Sequence, residues 1–336
     1  MKALSCIKPG VFNYIDRDEP GSQNNHTIIK IKRVGICGTD IHAFEGTQPY
    51  FEYPRILGHE LAGEIVDLDN APGFSLDEDV TVIPYFNCGH CLSCKNGHPN
   101  YCVNVKVCGV HTDGGMTEYL SVPSTSLVHG NGLGLDELAL VEPLAIGAHG
   151  INRAGVKPGE FVLVVGAGPI GLGAMEFGKI AGAKVIALDV SESRLQFCKH
   201  IGVYHALNAL DTNVKEQIKQ ITNGDMPTVV IDATGNLSAI NNAFEYMAHG
   251  ARYVLIGLQK GDISFNHPEF HKREGTLMSS RNALRSDFDQ VINSLNKRLI
   301  DPLSYITHRL GFNQVKDSFE SVLAPKSNVV KAMVSF

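Results

Sequence analysis

The chain has 336 residues, of which 43% are hydrophobic and 19% are charged. This composition is typical of a globular protein, and the length favours two domains over one. The formal net charge of −6 and the pI near 6.1 give no electrostatic reason to expect a nucleic-acid partner.

The N-terminal residues lack the apolar segment of a secretory signal, and no stretch approaches the roughly 20 apolar residues of a membrane span. We therefore expect a cytoplasmic protein without a membrane partner. In such a chain the eight cysteines are expected to be metal ligands or free thiols rather than disulfides.

The composition and the predicted secondary structure of the sequence change near residue 147. Residues 1–146 are rich in Gly and Pro, and short apolar runs such as LAGEIVDLD alternate with turn residues, which predicts a β-rich domain. Residues 147–285 alternate strands and helices, the pattern of a doubly wound parallel sheet. The tail, residues 286–336, carries a helix near 287–297 and ends in an apolar strand, 328–336, that could return to the first domain.

The elements predicted for the second domain follow in chain order. The strands are 161–165, 184–189, 228–232, 251–256 and 277–279, and the helices are 169–181, 192–200, 212–222 and 237–247.

The first of these strands runs into a glycine-rich turn, Gly166-Ala167-Gly168-Pro169-Ile170-Gly171, which opens a helix. In this context the motif predicts a dinucleotide site. Gly166 permits the tight turn, Gly168 lets the backbone approach a pyrophosphate, and Gly171 allows close helix–strand packing. The helix N-terminus offers N–H groups to the phosphates. The alternative is an α/β turn that binds no nucleotide.

Asp189 ends the next predicted strand, 18 residues after Gly171. Its carboxylate can accept hydrogen bonds from both ribose hydroxyls and would repel a 2′-phosphate, which favours NAD over NADP. Arg194 argues the other way, because a nearby arginine can accommodate that phosphate.

Four cysteines, Cys88, Cys91, Cys94 and Cys102, fall within 15 residues. Four thiolates can close a tetrahedral shell around Zn²⁺ and leave no position for substrate, so this site is expected to be structural. The metal would order a loop that has too few apolar residues to fold alone. An iron–sulfur cluster is an alternative, because CxxCxxC resembles part of a ferredoxin motif, and free surface thiols are another.

A second metal site is suggested by Cys37 in GICGTDIH, His59 and Glu60 in LGHE, and Glu142 in VEPLA. Taken singly, such residues are usually core or loop residues. An enzyme that oxidises an alcohol with nicotinamide, however, needs a Lewis acid or a Tyr/Lys acid to stabilise an alkoxide. A Cys/His/Glu set supplies metal ligands and leaves a fourth position open.

In this order, the motifs GICGTDIH, GHE, CxxCxxCx7C, EPLA and GAGPIG resemble those of the zinc-containing medium-chain dehydrogenase/reductase family over essentially the whole chain. The EPLA glutamate is similar to the sorbitol/polyol dehydrogenase branch, whereas ethanol-type enzymes have a third Cys there. The resemblance implies a GroES-like catalytic domain with a zinc lobe, completed by residues 286–336, and a Rossmann domain over 147–285. It also implies a homodimer or homotetramer.

The resemblance implies two zinc ions per chain, one structural and one catalytic. Cys37 and His59 correspond to ligands of the catalytic zinc. Glu142 corresponds to the ligand position of this branch, directly or through water, and Glu60 to a neighbouring carboxylate that can enter or leave the shell. Asp40 would orient His59.

The resemblance also implies catalytic and cofactor roles. Thr39 would take the substrate proton and His42 would pass it through the nicotinamide ribose to solvent, with Glu60 as a further catalytic residue. Thr234 in IDATGN and Arg281 in SSRNA would join the glycine-rich turn in binding NAD.

The expected reaction is the oxidation of a secondary alcohol on a sugar acid or polyol, with hydride transfer to NAD. Arg281 is the best candidate to bind a substrate carboxylate, because the family places this segment beside nicotinamide and substrate. Weaker candidates for this pocket are Arg55, Lys272, His111 and His271, with Tyr50, Phe51 and Tyr85 as possible walls. L-Threonine and neutral polyols are alternative substrates. A non-catalytic NAD-binding protein and a zinc-free quinone oxidoreductase relative are the alternative classes.

Overall fold

The computed structural model describes residues 1–49, 51–324 and 328–336. Internal contacts divide the chain into two units, residues 1–142 with 284–336, and residues 143–283. The domain boundaries expected from the sequence, after residues 146 and 285, stay a prediction. Tyr50, which was expected to wall the substrate pocket, lies outside the described residues.

The elements of the described residues follow in chain order. The strands are β1 (Lys2–Lys8), β2 (Val11–Asp16), β3 (His26–Ile36), β4 (Arg55–Ile56), β5 (Glu60–Leu68), β6 (Asp79–Val82), β7 (Tyr85–Phe86), β8 (Lys106–Val107), β9 (Tyr119–Pro123), β10 (Leu127–His129), β11 (Phe161–Val165), β12 (Lys184–Asp189), β13 (His205–Asn208), β14 (Val229–Asp232), β15 (Arg252–Leu255), β16 (Thr276–Ser279), β17 (Ile306–Gly311) and β18 (Lys331–Ser335). The helices are α1 (Gly38–Glu45), α2 (Leu92–Lys95), α3 (Leu135–Ala139), α4 (Val141–Ala154), α5 (Pro169–Ile180), α6 (Glu192–His200), α7 (Val214–Ile221), α8 (Leu237–Ala243), α9 (His267–Lys272), α10 (Arg285–Asn296) and α11 (Val315–Leu323). Within the described residues, each helix is too short or too polar to cross a membrane.

The main sheet of the first unit is organised around β3. Its strand order is β10-β6-β5-β3-β18-β17, and β9 also pairs with β3. Both β5 and β18 run antiparallel to β3, with Gly35 opposite Glu60 and Ala332 opposite Ile36. The end of β3 therefore lies beside the beginnings of β5 and β18. The return of the last strand to this part of the chain, expected from its apolar pattern, is confirmed.

A polar network fastens α3 to this sheet. The Asp136 carboxylate accepts a hydrogen bond from Arg33 Nε of β3 at 2.7 Å and lies 2.7 Å from Arg309 Nη2 of β17. Burial raises the pKa of Asp136, but the hydrogen bonds and charges of Arg309 and Arg33 outweigh this effect and hold it below its usual value. The network thus connects strands from both ends of the chain.

The second unit contains the predicted doubly wound sheet. Its strand order is β13-β12-β11-β14-β15-β16, and every neighbouring pair is parallel. This is the order of a Rossmann fold. The strands at 161–165 and 184–189 have the predicted bounds, whereas β13 and α9 were not predicted. Both are short segments with few buried apolar residues, so they carry little periodic pattern.

We expect Asp136→Asn to lower the free energy of unfolding at pH 7 by about 1–2 kcal/mol, because two charge-assisted contacts are lost at a partly exposed site. The folded-state pKa lies below the unfolded-state value. The contribution of Asp136 is therefore present above the unfolded pKa of about 4 and is lost as pH falls through the folded pKa. Urea unfolding of both proteins at pH 7 and at about pH 3 measures the difference. An equal difference at both pH values would contradict the electrostatic origin.

Candidate metal centres and dinucleotide site

The end of β3 and the beginning of β5 bring three predicted ligands together. The Cys37 sulfur, a ring nitrogen of His59 and a carboxylate oxygen of Glu60 all lie within 4.8 Å of one another. His59 and Glu60 are buried, and Cys37 is half-buried. Cys37 follows β3 and caps the N-terminus of α1.

Asp40 connects the two loops that carry these ligands. Its carboxylate accepts hydrogen bonds from the backbone N–H of Cys37 at 2.9 Å and of Gly58 at 3.2 Å. Its Oδ1 lies 3.8 Å from His59 Nδ1, which is too long for a hydrogen bond. This nitrogen is buried and has no hydrogen-bond partner among the described residues. Asp40 therefore holds the two loops together. Among the described residues, it does not make the hydrogen bond to His59 by which it was expected to orient the imidazole.

Gly35 leaves the space that the Glu60 carboxylate occupies. The two residues are opposite each other in β3 and β5. A Cβ atom at position 35 would lie 2.0 Å from Glu60 Oε2. A strand glycine often marks such a close approach, and here the carboxylate of the candidate ligand makes it.

Lys331 is a site residue that the sequence analysis missed. Its Nζ donates to both carboxylate oxygens of Glu60 at 2.6 Å and to the Ile36 carbonyl at 3.2 Å. Both side chains are 1% exposed. Burial lowers the pKa of Lys331, but the charges of Glu60 and Cys37 raise it above its usual value, so the ammonium is charged. The available signal was a lone lysine within the apolar run VVKAMVSF, since a buried lysine needs a partner.

The fourth predicted ligand, Glu142, has a different partner. Its carboxylate accepts a hydrogen bond from the Tyr85 hydroxyl, and both side chains are buried. Among the described residues, Glu142 lies outside the 4.8 Å group formed by Cys37, His59 and Glu60. Burial raises the pKa of Glu142 to about 7, although His59 and Tyr85 act in the opposite direction. Tyr85, which was expected to wall a pocket, therefore holds a carboxylate.

The electrostatics of this group suit a cation. Burial lowers the pKa of His59, but the negative charges of Cys37 and Asp40 raise it well above the usual value. The same negative charges would stabilise a divalent metal ion. A thiolate, an imidazole and a carboxylate are ligands that Zn²⁺ prefers, and three of them leave a coordination position for substrate. The residues therefore fit a catalytic zinc ion.

The predicted proton relay lies on α1. Thr39 is half-buried and His42 is exposed, one helical turn further along. His42 Nδ1 lies 3.2 Å from the Thr47 hydroxyl and 3.4 Å from a Glu45 carboxylate oxygen. Helix α1 thus carries the Thr39 hydroxyl two residues after the candidate ligand Cys37, and it carries the His42 imidazole at the solvent.

The four cysteines of the insert form a separate cluster. The sulfurs of Cys88 and Cys102 are 3.4 Å apart, those of Cys91 and Cys94 are 3.5 Å apart, and those of Cys91 and Cys102 are 3.7 Å apart. A tetrahedral zinc with bonds of about 2.3 Å separates its sulfur ligands by about 3.8 Å, and a disulfide separates them by about 2.05 Å. An iron–sulfur cluster would hold the thiolates farther apart, because different irons bind them. The spacing favours a single ion.

Backbone N–H groups prepare these cysteines to bind as thiolates. The amides of Cys88 and Asn104 both lie 3.4 Å from the Cys102 sulfur. Hydrogen bonds from the backbone of Cys94 and Val103 lower the pKa of Cys91 to about 6. At Cys102, burial outweighs these donors and raises the pKa to about 11, so only part of the cluster favours the thiolate before a metal binds.

The glycine-rich turn has the geometry that its sequence predicts. Gly166 follows β11 with φ of 99°, a conformation that favours glycine. A Cβ atom at Gly171 would lie 1.9 Å from the Gly166 carbonyl, whereas a Cβ atom at Gly168 would meet open space. Pro169 opens α5, and Ile170 follows it in the first turn. The turn is therefore closed toward the sheet and open at the helix N-terminus, where a phosphate can bind.

The other predicted cofactor residues follow strands of the same sheet. Asp189 ends β12, and its carboxylate accepts hydrogen bonds from the backbone N–H of Ala167 at 2.7 Å and of Ser191 at 2.8 Å. Thr234 follows β14, and its methyl group would lie 2.8 Å from a Cβ atom at Gly166. Arg194 lies in the first turn of α6, and Arg281 follows β16 and is exposed.

Two of the weaker pocket candidates have partners in loops. Arg55 Nη1 lies 3.4 Å from Asp113 Oδ1, and His111 Nδ1 accepts a hydrogen bond from the Val107 amide at 3.1 Å. The remaining candidates also have neighbours: Phe51 packs on Tyr53, Lys272 lies 3.9 Å from Glu269, and the His271 ring lies 5.9 Å from that of His267. Apart from Arg55, whose partner is 58 residues away along the chain, these residues contact neighbours within their own segments.

Both parts of the chain match known families. Residues 23–131 match the alcohol dehydrogenase GroES-like domain, and residues 169–297 match the zinc-binding dehydrogenase family. The chain is 42% identical over 340 residues to the L-galactonate-5-dehydrogenase of Escherichia coli K12, covering 100% of this chain and 99% of the relative. It is 30% identical to a sorbitol dehydrogenase of Halalkalibacterium halodurans, covering 96% of each.

A solved structure extends the match to three dimensions. The crystal structure of the short-chain alcohol dehydrogenase RspB of Escherichia coli CFT073, in complex with NADH, is similar with a TM-score of 0.93 at 32% identity. The match covers 100% of this chain and 99% of that one. Together these matches confirm the predicted fold class, a Rossmann sheet with a β-rich GroES-like domain.

We expect about two equivalents of zinc per chain in protein purified without chelator, because two separate ligand sets are present. Cys37→Ala should lose one equivalent with little change in thermal stability. Cys91→Ala should also lose one equivalent but should lower the melting temperature or solubility, because the insert depends on its metal. Metal analysis by mass spectrometry and thermal unfolding of the three proteins measure these effects. A wild-type value near one that is unchanged in Cys37→Ala would exclude the open site.

Proposed function

Because the chain belongs to the zinc-binding dehydrogenase family, we propose that it oxidises a secondary alcohol of a sugar acid or polyol and transfers the hydride to NAD. The observation that carries the proposal is the buried group of Cys37, His59 and Glu60 in a chain that also has the glycine-rich turn of a dinucleotide site. Zinc, when bound by this group, supplies a Lewis acid that lowers the pKa of the substrate hydroxyl.

The two buried glutamates have separate roles in this proposal. We assign direct metal binding to Glu60, because its carboxylate lies with Cys37 and His59. We assign a hydrogen-bonding role to Glu142, because Tyr85 holds its carboxylate outside that group. These assignments reverse the expectation from the sequence, in which Glu142 held the ligand position and Glu60 could enter or leave the shell.

The residues of α1 move the substrate proton. With NAD bound, the Thr39 hydroxyl would accept the proton of the substrate hydroxyl while it releases its own proton toward the nicotinamide ribose, and His42 would pass a proton from the ribose to solvent. The half-buried position of Thr39 and the exposure of His42 support this direction. The contact between His42 and Thr47 orients the imidazole at the outer end of the path.

The choice of NAD depends on Asp189. Each of its carboxylate oxygens accepts one backbone N–H and retains a lone pair for a ribose hydroxyl. Its negative charge disfavours the 2′-phosphate of NADP. The bound NADH in the RspB structure supports the same choice.

The relatives favour a sugar acid over a neutral polyol as substrate. The L-galactonate-5-dehydrogenase is 42% identical to this chain, whereas the sorbitol dehydrogenase is 30% identical. A neutral polyol is therefore the second candidate substrate, and L-threonine, suggested by the family resemblance, is the third.

The proposal also retains a homodimer or homotetramer in the cytoplasm.

Arg281 is the proposed contact for the substrate carboxylate. It lies two residues beyond the carboxyl end of β16, at the sheet edge where the turn after β11 also lies. Three interstrand spacings separate β11 from β16, which corresponds to about 14 Å. Asp189 lies on the opposite side of β11, so a dinucleotide whose adenosine ribose binds Asp189 directs its nicotinamide end toward Arg281.

We expect the highest kcat/KM with L-galactonate and NAD, at least about tenfold above sorbitol, because sorbitol lacks the carboxylate that Arg281 would bind with about 1.5–3 kcal/mol. L-Threonine has a carboxylate but is two carbons shorter and carries an ammonium group, and we expect a lower kcat/KM for it as well. Spectrophotometric assays with the three substrates, each with NAD and NADP in parallel, measure this. A preference for sorbitol or threonine would overturn the substrate proposal. Equal use of NADP would overturn the role given to Asp189 and would favour a larger role for Arg194.

We expect Arg281→Ala to lower kcat/KM for the sugar acid about tenfold to a hundredfold, since a charge-assisted pair contributes about 1.5–3 kcal/mol. It should change little for a neutral polyol of the same length. Arg281→Lys should recover only part of the activity, because an ammonium lacks the planar fork of the guanidinium. Steady-state kinetics with matched acid and polyol measure the effect. Equal losses for both substrates would mean that Arg281 orients the nicotinamide or a neutral hydroxyl.

A further inference from the structure

The metal group contains a buried cation that the reaction does not use. Among the described residues, Lys331 is the only lysine or arginine whose side chain is buried, and it belongs to the last strand. The buried acids near it are Glu60 and Glu142. Placing an ammonium at 1% exposure is costly unless an anion compensates it. Lys331 therefore has a specific partner and a specific position.

The carboxylate oxygens of Glu60 have two possible partners, the ammonium of Lys331 and a metal ion. Both of its carboxylate oxygens lie 2.6 Å from Lys331 Nζ. One of them is also within 4.8 Å of the Cys37 sulfur and of a His59 ring nitrogen. A carboxylate that pairs with an ammonium through both oxygens is a weaker donor to a metal ion, because its charge is already partly compensated. The ammonium and the metal ion thus compete for Glu60.

The competition has consequences for both states of the site. In the metal-free protein, Lys331 compensates the buried charge of Glu60, which would otherwise destabilise the fold. In the metal-loaded protein, the ammonium still binds the Glu60 oxygens that the ion requires, and this weakens the bond between Glu60 and the ion. Lys331 is therefore favourable to the first state and unfavourable to the second.

We propose that Lys331 is a positioning residue that stabilises the metal-free site through Glu60 and thereby weakens its affinity for zinc. The proposal rests on the metal site of the proposed function. A ligand that binds only the folded state raises its stability, and the increase grows with the logarithm of the ligand's affinity. Zinc should then raise the melting temperature of the wild-type protein only modestly at this site.

The test compares zinc affinity and melting temperature in a set of matched variants. Lys331→Met removes the charge at nearly the same volume, and Lys331→Arg retains the charge. Lys32→Met is the surface control, because Lys32 of β3 pairs with Glu64 of β5 at 3.1 Å at a more exposed place in the same sheet. Zinc retained after dialysis against graded chelator gives the affinity. Cys37→Ser, which keeps the four-cysteine site, defines the zinc that belongs to the lobe.

In Lys331→Met we expect the dissociation constant for the open-site zinc to fall at least about tenfold, because both Glu60 oxygens are released from the ammonium and can bind the ion. The chelator-treated variant should melt at a lower temperature than the treated wild type, and added zinc should restore most of the difference. Lys331→Arg and Lys32→Met should behave as wild type. An unchanged or weaker zinc affinity in Lys331→Met overturns the proposal.

A second set of variants, made in Glu60→Gln protein, tests whether Lys331 acts through Glu60. In Glu60→Gln protein, adding Lys331→Met should change zinc affinity by less than about threefold, since the shared partner is gone. A tenfold gain in that background would place the effect elsewhere and overturn the proposal. If Lys331→Met is insoluble, Lys331→Gln, which retains a hydrogen-bond donor without the charge, carries the same comparison.

The failure of the inference differs from the failure of the proposed function. Wild-type protein that retains only the zinc found in Cys37→Ser has no open-site metal, which overturns both. Wild-type protein with both zinc ions and no response to Lys331→Met overturns only the role of Lys331.

Discussion

The antiparallel pairing of β3 with β5 and β18 is the constraint on which the open metal group depends. The register places Gly35 opposite Glu60, and the missing side chain leaves room for the Glu60 carboxylate. A slip of one residue would turn every side chain of β5 to the other face of the sheet. The first residue of β18, Lys331, would lose its partner in the same way. Backbone hydrogen bonds thus determine side-chain chemistry at the point where the three strands meet.

The burial of several acids around one imidazole explains the electrostatics of this group. Burial raises the pKa of Glu142 to about 7, and it also raises the pKa of Asp40. The same acids, with Cys37, raise the pKa of His59 well above its usual value. The acids are shifted mainly because burial removes water from their charged forms, and the imidazole is shifted by the negative charge around it. Lys331 compensates part of that negative charge, and a divalent ion would compensate the remainder.

Local patterns predicted the elements of the Rossmann sheet, because β11, β12 and the turn at Gly166 carry their signals within a few residues. Motif order also indicated Cys37, His59 and Glu60, which the structure brings together. The contacts of Lys331 could not be predicted in this way, since 271 residues separate it from Glu60. The hydrogen bond from Tyr85 to Glu142, which are 57 residues apart in sequence, could not be predicted for the same reason. Sequence patterns report periodicity, whereas these contacts depend on strand register and on which chain segments become neighbours.

The two candidate zinc sites differ in what remains when the metal is removed. Among the described residues, the contacts that would compensate negative charge on the sulfurs of the four-cysteine lobe come from N–H donors, and the surrounding segment has few buried apolar residues. Its fold depends on the ion for that reason. The open site lies in the core of a sheet and contains Lys331, which compensates Glu60 without a metal. A catalytic ion must accept a substrate oxygen in its coordination shell, and a site whose protein ligands keep their geometry without the ion can tolerate such changes. The buried lysine therefore separates the stability of the fold from the occupancy of the metal site.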